Sequence, residues 1–291
     1  MAPLRSAAAL ALALVCLAPR PAPAQPARPA VELRYRFQPG GVSAYRLSAE
    51  QKLEVGTSLT AGETQKFSNR LTVDTRQTVL SAGPEGAVVE YGFGAPRATA
   101  TLQGLEVPVA GLDDLPRLKF NLRVSERGQV SAVEALVAPE LSPEVQRLAA
   151  ELKKNFIQNA IVFPERALAP GESWTEERSL PSGLPGTEGL SLALKATYTL
   201  RGLEKVQGRA CARIDSQVLM GIKGRLVKNG LPVEADLQGR GQGQACFSLE
   251  EGRMLRTQAS LGMAGTLEAS QAGQSAVTTL KLEASLTQEL R

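Results

Sequence analysis

Apolar and polar residues alternate along most of the chain with the period of two that marks strands with one buried face. The pattern is clearest after residue 190, where Leu190, Leu192, Leu194, Ala196, Tyr198 and Leu200 share one face. Ser191, Lys195, Thr197, Thr199 and Arg201 share the other. Ala212, Ile214, Val218, Met220, Ile222 and Leu226 repeat the pattern in a second strand. Asn229-Gly230 then predicts a tight hairpin turn, because both residues tolerate positive φ. A third strand returns with Val233, Ala235, Leu237, Ala245, Phe247 and Leu249 set against Glu234, Asp236, Gln238, Arg240 and Gln242. Turns at Glu251-Gly252 and Ala272-Gly273 deliver two more, over residues 254–270 and 275–290.

The first half alternates less regularly. Leu33, Tyr35 and Phe37 against Glu32, Arg34 and Arg36 predict a strand ending at the Pro39-Gly40-Gly41 turn, followed by strands over 43–55, 64–80 and 87–103. Gly83-Pro84-Glu85-Gly86 separates the last two, and residues 104–117, with Pro108, Gly111 and Pro116, read as a loop. A hairpin with Leu118, Phe120, Leu122 and Val124 turns at Arg127-Gly128 into Val130. One stretch breaks the strand pattern. Ser142 can cap, Pro143 suits a first helical turn, and Val145, Leu148, Ala149, Leu152 and Phe156 recur at helical spacing, which predicts an amphipathic helix over 143–160. Arg147, Glu151, Lys153 and Lys154 fall opposite that stripe.

The fold class that follows is mainly β: a long-stranded antiparallel meander forming a curved sheet, sandwich or half-barrel, with one helix packed on it. The expected organisation is residues 1–24 as a signal peptide, 25–30 as a linker, 31–139 as an N-terminal β half, 140–163 as helix and connection, and 164–291 as a C-terminal meander half. Phe37-x-Pro39-Gly40 before Tyr45 echoes Leu168-x-Pro170-Gly171 before Trp174, so the halves can descend from one unit.

The leader sets the compartment. A short basic start, an apolar run over residues 6–17 and Ala22-Pro23-Ala24 before Gln25 form the three parts of a secretory signal, with cleavage after Ala24. Acylation at Cys16 is disfavoured because Ala13 and Val15 occupy the places where lipoprotein sites want Leu and a small residue. The apolar run is shorter than the roughly 20 residues a span needs, and no later run approaches that length. Removing the leader takes away Arg5 and Arg20 and lowers the net charge from +4 to +2, with acids and bases interspersed. No clustered basic face points to nucleic acid, and no basic run points to a membrane surface.

The chain contains no histidine, which excludes Ser-His-Asp and Cys-His nucleophile activation and imidazole metal ligands. Nucleotide, P-loop and calcium-loop motifs are missing too, so no catalytic residue, metal site or cofactor is expected. Carboxylate chemistry survives as an option at Asp113-Asp114 and Glu250-Glu251, although adjacent acids in loops are usually just solvated. A single Trp and four Tyr give little aromatic surface for stacking sugars.

Phe163-Pro164-x-x-x-Leu168-x-Pro170-Gly171-x-Ser173-Trp174, followed by strands and a Gly-x-Ala-Cys, resembles a broad family of uncharacterised exported bacterial proteins, a domain of unknown function. The resemblance covers most of the mature chain and is strongest at residues 163–174, 198–211 and 243–252. It implies a β-rich envelope or secreted protein and transfers no functional residue. Trp174 is expected to anchor the core.

Two cysteines remain in the mature chain, and an exported protein with two usually pairs them. A two-residue turn at Asn229-Gly230 sets Lys228 opposite Leu231, Cys211 opposite Ser248 and Cys246 opposite Arg213. Cys211 and Cys246 are then diagonal neighbours on the polar side of one hairpin, and a register two residues away, which a bulge can supply, places them directly opposite. Gly239, Gly241 and Gly243 alternate on the inward face where large apolar residues belong. They permit a sharp bend or close approach of another backbone. Alternatively they open an apolar groove lined by Val218, Met220 and Met263. The roles left open are a non-enzymatic carrier of a lipid-like or other apolar molecule, a filled structural module that contacts an envelope protein, and, third, a carboxylate-based hydrolase.

Overall fold

The computed structural model describes residues 29–58, 63–109, 112–136, 142–158, 160–181, 189–228, 231–271 and 274–291. The leader, its cleavage site, Cys16, and the Asn229-Gly230 and Ala272-Gly273 turns lie outside these residues. Among the described residues thirteen strands run in chain order: β1 Val42–Thr57, β2 Thr64–Gly83, β3 Gly86–Phe93, β4 Arg97–Leu102, β5 Leu105–Val107, β6 Lys119–Val124, β7 Val130–Leu136, β8 Ser173–Pro181, β9 Leu190–Val206, β10 Arg209–Lys228, β11 Leu231–Ser248, β12 Arg253–Gln271 and β13 Gln274–Leu290. The α-helix among them, α1, spans Pro143–Gln158.

All strands join one antiparallel sheet in the order β7-β6-β3-β2-β1-β13-β12-β11-β10-β9-β8, with β4 pairing β2 and β5 beyond it. From β8 to β13 every neighbour in sequence is a neighbour in space, the meander that alternation predicted. The two halves meet where β1 pairs β13, with Tyr45 opposite Leu290 and Thr57 opposite Thr278. No second sheet covers the first among the described residues, so the curved sheet is realised and the sandwich is not.

Three sequence expectations need correction. The strand expected over 87–103 is two strands, because Pro96 cannot donate to a ladder and the Gly94 N–H turns aside to the Asp74 carbonyl at 2.7 Å. The expected loop over 104–117 contains β5 and a 3₁₀ turn at Leu115–Arg117. Residues 31–37 are extended but enter no ladder beyond a bridge from Val31 to Leu168. Their backbone bonds go to different elements, Tyr35 N–H to the Glu126 carbonyl (2.7 Å) and Arg36 N–H to that of Gly252 (3.0 Å). They form a strap that bridges the two halves of the sheet.

The helix begins as its cap predicts, with the Gln146 N–H on the Ser142 carbonyl at 3.0 Å and the Val145 N–H on its hydroxyl at 3.4 Å. Val145, Leu148, Ala149, Leu152 and Phe156 join one core with Val73, Tyr91, Leu118, Phe120 and Leu122. Phe120 is fully buried and its ring meets Phe156 at 5.2 Å. A second core gathers Leu33, Phe163, Leu168, Leu200, Ile214, Ala245 and Phe247, with Tyr35 and Trp174 packed on it. Both cores rest on one cross-strand row, which runs Val73, Leu47, Gln288, Thr257, Ala245, Ile214, Leu200. The remainder of that face is not filled.

The disulfide is formed: Cys211 and Cys246 are bonded with Cα atoms 5.5 Å apart. The ladder between β10 and β11 keeps the register expected from the turn, with Arg213 opposite Cys246 and Lys228 opposite Leu231, and it carries no shift. The shifted register is not needed: the diagonal pair is bridged directly, at a Cα separation within the ordinary disulfide range. Bulges sit instead in the flanking ladders, at Arg213/Ile214 against β9 and at Cys246/Phe247 against β12. Polar-face parity also misjudged burial there, since Cys211 and Cys246 are 1% and 4% exposed. They cluster with Tyr45, Leu255 and Leu290, and Leu255 is the extra residue of the β12 bulge.

Candidate functional site

Because residues paired across an antiparallel sheet share a face, alternation in each strand adds up to two faces of opposite character. The outer face is charged and cross-linked by exposed pairs such as Arg46–Asp74 (2.9 Å), Arg256–Glu289 (3.0 Å) and Lys223–Asp236 (3.1 Å). Next to the core row on the inner face, a second row runs Ala98, Leu71, Ala49, Leu286, Ala259, Gly243, Ser216, Tyr198, Trp174. A third runs Ala100, Asn69, Gln51, Ala284, Leu261, Gly241, Val218, Ala196, Glu176. Beyond it Phe67, Leu53, Leu282, Met263, Met220 and Leu194 stand in line and stay half-buried.

The Ala, Gly and Ser positions in these rows leave an apolar trough of about 930 Å³ on the concave face. Its floor is β10 to β13, one wall is β1, β2 and β4, and the other is β8 and β9. Val107, Pro108, Val109 and Leu112 reach it from the first wall, and Ala160 and Ile161 from the second. In β10 the lining extends from Ile214 to Met220, about 20 Å along the strand.

The glycines let two strands approach closely. A Cβ at Gly241 would lie 2.9 Å from the Ser260 carbonyl, and one at Gly243 would lie 2.9 Å from that of Gln258. Both carbonyls belong to β12, so β11 needs glycine for the close approach of its neighbour. Of the residues proposed from sequence for a groove, Gly241, Val218 and Met220 line the trough. Gly239, Gly243 and Met263 share the inner face, but over Gly239 the side chains of Met220 and Met263 close in, with Met220 Cγ 2.8 Å from where a Cβ would stand.

Among the residues that line the trough, two charged side chains occupy inner-face positions, and both are on β8. Arg178 pairs with Glu176 at 2.5 Å, and donates to the carbonyls of Ala160 (2.9 Å) and Ile157 (3.4 Å). Glu176 accepts the Val162 N–H at 2.8 Å. The pair thus ties the connection after α1 to the edge strand. Trp174, two residues before Glu176 on β8, packs on the second core, donating from its indole nitrogen to the Val162 carbonyl at 3.0 Å and stacking on Tyr198 at 5.1 Å. Burial pushes the Tyr198 hydroxyl up to about 12. On the opposite wall, the Asn69 amide donates to the Gln51 carbonyl at 3.4 Å. Gln51, Asn69, Glu176 and Arg178 were not singled out from sequence. Their signal was present as polar residues at inward parity within Leu47-x-Ala49-x-Gln51-x-Leu53, Phe67-x-Asn69-x-Leu71 and Trp174-x-Glu176-x-Arg178.

The acidic pairs are not brought together. Asp114 stands at the N-cap position of the 3₁₀ turn, where its carboxylate makes no capping bond and pairs with Arg117 at 3.1 Å. Glu251 lies in the β11–β12 turn bound to Arg253, which also reaches the Ser43 hydroxyl at 2.9 Å. These residues border a second, more polar cavity of about 620 Å³ beneath the strap. Glu204 lies beside the disulfide, but bonded sulfurs are not thiolate ligands, so that grouping offers a metal one carboxylate. No helix among the described residues is long and apolar enough to cross a membrane.

No family model matches the chain, and no curated protein matches it. A solved structure described as "lipid-protein interactions in lipovitellin" is similar to it, with a TM-score of 0.49 and 11% identity. The match covers 88% of this chain and 25% of that one, so this chain spans about a quarter of the length of the structure it matches.

Proposed function

We propose that the chain is a non-enzymatic, exported β module that holds a lipid-like or other apolar molecule in the trough. The supporting observation is the trough itself: an apolar concavity of about 930 Å³ that the protein's own cores leave unfilled. That volume falls in the range of small-molecule sites, roughly 300–1,000 Å³. A large apolar surface left accessible is costly unless something covers it, and a bound chain of methylenes gains about 0.8 kcal/mol for each group it buries. Export agrees with a buried disulfide, which persists in oxidising compartments.

Titration of the purified protein with a polarity-sensitive apolar fluorophore tests this reading. Saturable binding is expected, with an affinity that falls at least tenfold in Ala284→Trp, where an indole rises from the trough floor. Ala264→Trp places the same indole on the exposed outer face and is expected to bind as the parent does. Equal binding by all three proteins, or none by the parent, would sink the proposal.

A further inference from the structure

The trough's charge pattern narrows the chemistry of its occupant, given the carrier reading above. We infer that the occupant is an uncharged amphiphile, a long apolar chain ending in an ester or alcohol, and that a lipid acid is rejected. Gln51 and Asn69 receive its head.

An anionic head needs a cation that is not already spoken for, because a carboxylate or phosphate moved from water into an apolar trough loses its hydration. Among the residues that line the trough, one cation occupies an inner-face position, Arg178, and its guanidinium is committed to Glu176 at 2.5 Å and to the Ala160 and Ile157 carbonyls. Recruiting it would strand Glu176 as an unpaired charge and free the connection that both residues tether. The other ion pair at the rim, Arg70 with Glu50 at 3.4 Å, stands at outer-face register positions and also cancels. The lining therefore carries charge in balanced pairs and presents no net field to a headgroup.

Gln51 and Asn69 offer the opposite. They occupy adjacent strands of an inner-face row, flanked there by Ala100 and Ala284. Their mutual bond is long, 3.4 Å, and uses one donor and one acceptor of the two amides. A second donor and a second acceptor remain for a neutral carbonyl or hydroxyl. Apolar side chains continue on the far side of this pair, from Phe67 and Leu53 to Leu282 and Met263, as a bed for the chain.

The test compares a conjugated polyene fatty acid with its methyl ester and uses the parent polyene hydrocarbon as the headless reference, all read by polyene fluorescence on the purified protein. At pH 8 the ester is expected to bind at least tenfold more tightly. The gap is expected to close as the acid is neutralised toward about pH 5. The doubly substituted Gln51→Leu/Asn69→Leu variant is expected to lose at least tenfold of the ester's advantage over the parent hydrocarbon while keeping its unfolding midpoint. Acid that binds as tightly as ester at pH 8 overturns the inference and leaves the carrier reading standing. If neither probe binds, both fall. An ester advantage unchanged in the double variant removes Gln51 and Asn69 from the assignment.

Discussion

All four tyrosines of the chain, Tyr35, Tyr45, Tyr91 and Tyr198, are held above their ordinary range by burial. For Tyr45 and Tyr198 the hydroxyl is pushed up to about 12. A group whose folded value exceeds its unfolded value of about 10 contributes stability that is fully present below that pH and is lost as pH rises toward the folded value. Near-ultraviolet titration is therefore expected to show almost no tyrosinate at about pH 10 in the folded protein, then ionisation coupled to unfolding as pH approaches 12. A tyrosine that ionises near pH 10 with the native circular dichroism intact would contradict the burial described. At this scale the sequence was informative about which residues are apolar and silent about which are covered. Cys211 and Cys246 read as polar-face residues because parity sees one strand at a time. What buries them is the pairing of other strands, with Tyr45, Leu255 and Leu290 brought beside them from β1, β12 and β13.

At the scale of elements, the disulfide closes a separation of 35 residues. The chain-entropy model gives roughly 3–4 kcal/mol for a loop of that size. The hairpin ladder around it constrains the same pair, so the Cys211→Ala/Cys246→Ala double variant is expected to lose about 2–3 kcal/mol in denaturant unfolding. A loss under about 0.5 kcal/mol would show that the ladder alone fixes the register. The bond sits where both flanking ladders slip by one residue, at Arg213/Ile214 and at Cys246/Phe247, so it pins the one pairing at that level that stays regular. Long strands and the helix were legible because their periodicities run for many residues, and the hairpin register followed from the Asn229-Gly230 turn. The break between β3 and β4, the short β5 and the strap over 31–37 were not legible. Each depends on which backbone partner is within reach, and that is a property of the assembled sheet.

At the scale of the whole molecule, one sheet presents a charged face and an apolar one. The candidate site is whatever part of the apolar face the two cores do not reach. Sequence alone pointed to β11 through its glycines but could not assign the opposite wall, because nothing local tells β1 that its partner is β13. That pairing also sets an order in time. Residues 45 and 290 are neighbours, so the N-terminal strands cannot complete the sheet until the far end of the chain exists to meet them. Contacts so distant in sequence make loop closure slow and leave bare strand edges during the wait. A chain stopped after residue 271 keeps β1 through β12 yet exposes long edges on both β1 and β12. It is expected to aggregate, or to be digested by a protease that spares the parent, and a soluble, resistant product would contradict this. The trough is complete only in the last step of folding, so while the chain is being made the apolar face offers a guest no finished cavity, and on the carrier reading proposed above loading belongs to the finished protein.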